Sequence, residues 1–147
     1  MPRVNDISRA VLDASVAVRW LVEETGSEAA RAIVESKSLW VAPHLLVTEC
    51  ASALRRKVVS GALSLGDAIA ALAILARAVD EGFVTFGIDS DVVSSALTLA
   101  VATAHKVPDC MYLALAEREG LSLATADIVL ARIAERRGLS VLFVAGA

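Results

Sequence analysis

Four carboxylates, Asp13, Glu49, Asp109 and Asp127, are spaced so that a parallel α/β fold would gather them. Asp13 ends the apolar run Ala10-Val11-Leu12, and a second apolar segment with helical spacing opens at Ala14-Ser15. A buried strand that hands a carboxylate to its C-terminal end, with a helix starting at once, is how open α/β sheets build sites. A charge in that apolar setting needs a partner or a metal. Glu49 sits inside a helical stretch between Val47-Thr48 and Cys50-Ala51. Asp109 lies at a helix start, where free N–H groups favour an anion, and Asp127 follows a strand by three residues. Carboxylates drawn together repel one another unless a divalent cation intervenes, and oxygen-only ligation suits Mg²⁺ or Mn²⁺ rather than zinc. The matching chemistry is metal-activated water attacking a phosphodiester in line.

Each of these residues also has a plainer reading. Asp109 and Asp127 suit helix caps as well as they suit a site, and Asp13 suits a cap less well. Glu49 precedes Arg56 by seven residues on one helical face, which would also describe an exposed stripe. Ser15 and Thr125 either orient water at a metal or satisfy nearby backbone N–H groups. Asp89 and Asp91, flanking Ser90 before an apolar helix, read as caps of that helix. Arg55-Arg56-Lys57 is a tight basic run, in which Arg56 either touches phosphate or belongs to a solvated helix end favoured by the dipole. Trp20 and Tyr112 are candidates for stacking on bases. Core packing suits Trp20 better, and the Tyr112 hydroxyl, three residues past Asp109, is within range of the acids.

The elements that must position these groups follow from periodicity and punctuation. Strands are expected at Ala10–Leu12, Leu39–Ala42, Phe83–Ile88, Leu121–Ala124 and Val141–Val144. Helices are expected from Ser15 to Val22, Ser27 to Ser36, Pro43 to about Ser60, Ser64 to about Glu81, Asp89 to about His105, Pro108 to Glu119, and Ala126 to Gly138. Pro43 suits the first turn of its helix, and Ser64-Leu65-Gly66-Asp67 has capping-box spacing with Asp in place of Glu. Strands alternating with helices call for a parallel sheet covered on both faces, with every strand's C-terminal end along one edge. The acids fall on that edge.

Composition narrows the class. At 147 residues with 56% hydrophobic content, the chain reads as one domain with a generous core and apolar surface to spare. Its longest uncharged run, Val92 to Ala104, falls short of the roughly 18 residues a membrane span needs. The start of the chain carries charge before any apolar run and lacks a signal-peptide pattern, so a cytoplasmic location is expected. Two cysteines make no disulfide framework, and the intervals His44–Cys50 and His105–Cys110 suit no zinc motif, so buried thiols are expected. A net charge of −3 argues against patch-driven nucleic-acid binding but not against an enzyme whose metal site holds several acids.

The chain resembles the PIN-domain ribonucleases, and within them the VapC-type toxins of bacterial and archaeal toxin–antitoxin pairs. The matching stretches are VLDASVAVRWLVEE (Val11 to Glu24), APHLLVTECASALRRKVVSGALS (Ala42 to Ser64), VPDCMYLALAEREG (Val107 to Gly120) and LATAD (Leu123 to Asp127). They run in the family's order over nearly the whole chain. Pro108 stands where the family usually has an aromatic or bulky residue, and Cys110 where a small one is common; neither departure removes a ligand. The resemblance implies a three-layer α/β/α PIN-like fold over residues 1–147, with a parallel sheet of about five strands. It also implies that Asp13, Glu49, Asp109 and Asp127 hold Mg²⁺ or Mn²⁺, with Ser15 and Thr125 as nearby hydroxyls. The implied activity is a metal-dependent endoribonuclease acting on RNA such as transfer or ribosomal RNA and leaving 5′-phosphate and 3′-hydroxyl ends. The implied partner is a cognate antitoxin.

Other readings fit less well. A housekeeping RNA-processing nuclease would carry the same residues, and only genomic context separates it from a toxin. A phosphatase using an aspartyl nucleophile wants D-x-D after the first strand, where this chain has Asp13-Ala14-Ser15. Receiver domains want an acidic pair after that strand and a lysine after the last, and no GxxxxGK[ST] loop is present. A non-catalytic binding module would have no reason to keep four repelling carboxylates. Surplus apolar area on helices 65–81 and 91–105 points to a homodimer.

Overall fold

The computed structural model describes residues 8–146; the charged start of the chain lies outside them. Five strands, β1 (Arg9–Leu12), β2 (Leu39–Pro43), β3 (Val84–Gly87), β4 (Ser122–Thr125) and β5 (Val141–Phe143), form one parallel sheet in the order β3-β2-β1-β4-β5. β1, β2 and β4 carry near-continuous buried apolar runs, as strands covered on both faces must. Seven helices connect them: α1 (Ala14–Leu21), α2 (Ser27–Glu35), α3 (Leu45–Val59), α4 (Leu65–Asp80), α5 (Asp89–Thr103), α6 (Val107–Glu119) and α7 (Ile128–Arg136). The expected three-layer α/β/α arrangement is therefore present.

The strand order explains the layers. From β1 the chain steps to β2 and β3 in one direction, then crosses to β4 and β5 in the other. Right-handed crossovers put helices on opposite faces for opposite directions of travel. Accordingly α1 to α4 pack on one another, while α6 packs on α5 and α7. α6 is the central helix of its face, buried from Cys110 to Ala116 across β1, β2 and β4. Gly87 permits that approach, since a Cβ there would lie 2.8 Å from Leu115 Cδ1. Trp40 anchors the core, with its Nε1–H donating to Val34 O at 3.0 Å. The direction reverses between β1 and β4, which is where an open α/β sheet leaves a crevice.

Two local expectations are corrected. Pro43 is the last residue of β2, in register with Gly87, and α3 starts only at Leu45. A proline is tolerated at a strand end, where its missing N–H interrupts no continuing ladder. Asp89 does not cap its own helix, whose cap position is Ile88. Its carboxylate instead accepts from His44 N (2.6 Å) and Leu45 N (3.2 Å), the free donors at the start of α3. Parallel pairing sets the ends of β2 and β3 side by side, so an acid after one strand reaches the helix after the other. The Ser64 hydroxyl does cap α4, accepting from Asp67 N at 3.0 Å. No helix among the described residues is long and apolar enough to cross a membrane.

Candidate active site

Asp13 sits where β1 gives way to α1. Its backbone is extended (φ −79°, ψ 148°) and its carboxylate makes no cap bond to α1, so the cap reading does not apply to it. The Ser15 and Thr125 hydroxyls both donate to Oδ2, the latter at 2.8 Å. Those hydroxyls in turn accept from backbone, Ser15 Oγ from Ala126 N at 2.9 Å and Thr125 Oγ1 from Asp127 N at 3.0 Å. The two hydroxyls thus lace the ends of β1 and β4 together beneath the carboxylate. Asp13 is 4% exposed, and burial pushes its carboxyl up to about 6 against the pull of the two hydroxyl bonds, with Asp109 and Glu49 adding smaller repulsions.

Glu49 is half-buried on α3, one turn past the helix start that Asp89 caps. The Tyr112 hydroxyl donates to Glu49 Oε1 at 2.6 Å. Burial, and to a lesser degree Asp109, raises the Glu49 carboxyl, while that hydroxyl bond and the cations Lys106 and Arg56 act against the rise. Tyr112 is completely buried, so the expectation that its ring meets RNA is corrected: it is a core residue that reaches the acids through its hydroxyl. Its own hydroxyl is pushed strongly upward by burial and the neighbouring acids, which keeps it a proton donor to Glu49. Trp20 packs against Phe83, with ring centroids 6.2 Å apart, as a partly buried core residue.

Asp109 lies in the first turn of α6, behind the cap residue Lys106 and Pro108. Asp127 is the cap of α7, where its Oδ1 accepts from Val129 N (2.9 Å) and Leu130 N (3.2 Å). One Asp127 oxygen therefore serves the helix, while Oδ2 turns to His105, whose Nε2 lies 3.6 Å away. His105 Nε2 is also 3.0 Å from Asp109 Oδ2.

Asp13, Ser15, Glu49, Arg56, Asp109 and Asp127 line one cleft of about 720 Å³. Thr125 is buried beneath it. Lys57, from the basic run, lines the cleft with the acids, as do two cations that the sequence did not single out, Arg19 and Lys106. Arg19 donates to Ser15 O at 2.7 Å and lies 3.6 Å from Glu24, which also pairs with Lys57. Arg56 and Lys106 form no ion pair among the described residues, so they are the cations left to meet an anion entering the cleft. Of these, Lys106 had a signal in the sequence: it precedes Asp109 by three residues, one helical turn.

The donor set fits a divalent cation. Asp13 and Glu49 are desolvated carboxylates that Asp109 also repels, and His105 Nε2, buried beside Asp109 and Asp127, has no hydrogen-bond partner among the described residues; a bound positive ion relieves both conditions. Cys50 and Cys110 are free and buried; burial drives the Cys50 thiol up to about 12, so it offers no thiolate.

A family model described as PIN domain matches residues 10–136. No curated protein matches in sequence. Among solved structures, PAE2754 from Pyrobaculum aerophilum is similar, with a TM-score of 0.68 at 20% identity, covering 92% of this chain and 84% of that one. VapC20 of Mycobacterium tuberculosis, described as a sarcin-ricin-loop-cleaving toxin, has a TM-score of 0.67 at 15% identity, covering 84% and 93%. FitAcB from Neisseria gonorrhoeae has a TM-score of 0.56 at 16% identity, covering 90% and 95%. These likenesses establish the shared fold.

Proposed function

The chain belongs to the PIN-domain family, and from that premise we propose that it is a metal-dependent endoribonuclease acting in the cytoplasm as the toxin of a toxin–antitoxin pair, with residues 1–147 as its single working domain. One observation carries the reading: Asp13, Glu49, Asp109 and Asp127, from four separate segments, line a single cleft together with Arg56 and Lys106, which form no ion pair among the described residues. Acids at the floor and cations at the wall suit a phosphodiester, whose backbone charge needs a cation while its scissile phosphorus needs an activated nucleophile. When bound, Mg²⁺ or Mn²⁺ supplies an activated water and offsets charge on the phosphorane.

The protein's own groups do the rest. Ser15 and Thr125 fix Asp13 by its Oδ2, and Tyr112 fixes Glu49 by its Oε1, so the carboxylates are held before substrate arrives. The α6 N-terminus and Asp109 stand at the same edge of the sheet as β1 and β4, where the strand order reverses. Arg56 and Lys106 orient the RNA backbone without reading bases. Likeness to a sarcin-ricin-loop-cleaving toxin supports structured ribosomal RNA as the substrate class. The resemblance of the sequence to VapC-type toxins supports a cognate antitoxin as the protein partner. Exposed apolar residues on α4 and α5, among them Leu65, Ile69, Leu97 and Val101, support a homodimer.

The test is cleavage of ribosomal and transfer RNA by protein purified free of any antitoxin, with Mg²⁺ or Mn²⁺, with EDTA, and with Asp13→Asn. Activity that disappears with EDTA and drops by at least about 100-fold in the variant is the expected result. Equal trace activity in both proteins would identify a contaminant and end the nuclease reading.

A further inference from the structure

We infer that His105 is a metal ligand: with Asp109 and Asp127 it forms a mixed nitrogen–oxygen position that favours Mn²⁺ over Mg²⁺. The acid pattern alone foresees only oxygen ligands. His105 brings an imidazole to it from the connection between α5 and α6, one helical turn ahead of Asp109. Ala104, just before it, is the sole non-glycine residue at positive φ (53°) among the described residues. That left-handed turn ends α5 and directs the chain, and His105 with it, back toward the acids.

The geometry is that of a ligand set. Nε2 lies 3.0 Å from Asp109 Oδ2 and 3.6 Å from Asp127 Oδ2, and one donor atom from each residue falls within 4.8 Å of the others. Donors bound at about 2.1 Å to one ion stand about 3.0–3.4 Å from each other, so little movement closes this triangle on a cation. His105 Nε2 is the buried side-chain nitrogen or oxygen left without a hydrogen bond among the described residues. The Asp109 contact is close enough for a hydrogen bond but not aligned for one. A buried imidazole nitrogen set between two carboxylate oxygens, with no aligned hydrogen bond to either, is satisfied by a metal ion shared with them. Asp127 cannot easily turn away, because its Oδ1 is committed to the α7 backbone. Imidazole binds transition ions more readily than it binds Mg²⁺, which keeps its oxygen shell.

The inference rests on the nuclease reading only in taking the cleft as a metal site, and its test needs no RNA. Pulsed electron paramagnetic resonance of the Mn²⁺-loaded full chain reads nitrogen-14 coupling directly, and calorimetry reads Mn²⁺ and Mg²⁺ affinities. Expected is a nitrogen coupling that disappears in His105→Gln but survives in His44→Gln, the other histidine, which stacks on Phe86 (4.6 Å). Expected too is a loss of Mn²⁺ affinity on the order of ten-fold or more in His105→Gln, with Mg²⁺ affinity within about two-fold. Mn²⁺ that binds without nitrogen coupling would overturn the His105 role and leave the acid site standing. Failure of the wild-type protein to bind Mn²⁺ at all would overturn both. The coupling is measured on the wild-type chain, so the outcome does not depend on whether the variant folds.

Discussion

At the scale of single residues, Asp13 carries an energetic conflict. Its carboxyl has a pKa of about 6 against an ordinary 3.8, chiefly because burial removes water from the charge. The folded chain therefore holds this proton to higher pH than the unfolded chain does. Between roughly pH 4 and 6 the native state binds more protons, so stability falls as pH rises, and above that window the loss is complete at about 3 kcal/mol. Asp13→Asn keeps an acceptor for the Ser15 and Thr125 hydroxyls but cannot ionise. In EDTA at pH 7 the variant should therefore exceed wild type in stability by about 2–3 kcal/mol, and the gap should close toward pH 4. Urea melts at the two pH values check this; a variant no more stable at pH 7 would mean that the charge is already compensated. The same substitution should remove cleavage, so the residue gives up stability for function.

Elements matter here through their ends. The α3 helix carries Glu49, yet its N-terminus has no cap of its own: His44 makes no side-chain cap bond. Asp89, from the start of α5, supplies both bonds instead. Asp89→Ala leaves two donors at the α3 start to water and removes a carboxylate from the positive end of that helix, a loss of about 1–2 kcal/mol. Because Glu49 lies one turn from that end, cleavage should weaken several-fold while the chain stays folded. Chemical denaturation together with RNA cleavage separates the two effects; a stability loss with unchanged cleavage would show that Glu49 is held by Tyr112 alone.

For the whole molecule, the unresolved balance is between core and surface. The sheet is covered on both faces, yet Leu97 is 56% exposed and Val101 77% exposed, four residues apart on one side of α5. Ile69 and Leu65 on α4 are similarly open. Wild type should run as a dimer in light scattering after gel filtration, and Leu97→Glu with Val101→Glu should give a monomer that melts at nearly the same temperature once concentration is accounted for. A wild-type monomer at micromolar concentration would assign that apolar face to a different partner.

Much of this was legible in the residues themselves. The order of strands and helices, the parallel sheet and three of the four acids' places at helix starts follow from apolar runs, glycine stops and capping residues, because those are local, period-based signals. Asp13 at the end of a buried run already identified the edge of the sheet that matters. What the tertiary structure alone decided are the contacts between residues far apart in sequence. Asp89 crosses to α3 because β2 and β3 pair, Tyr112 turns inward to Glu49 because α6 is the buried helix of its face, and Thr125 bonds Asp13 because β1 and β4 are neighbours. His105, dismissed on spacing as a zinc ligand, gains its place beside Asp109 and Asp127 only when the α5–α6 turn and the α7 cap meet in space. Spacing encodes which face of an element a side chain occupies; which other element it meets there is fixed by strand order and packing.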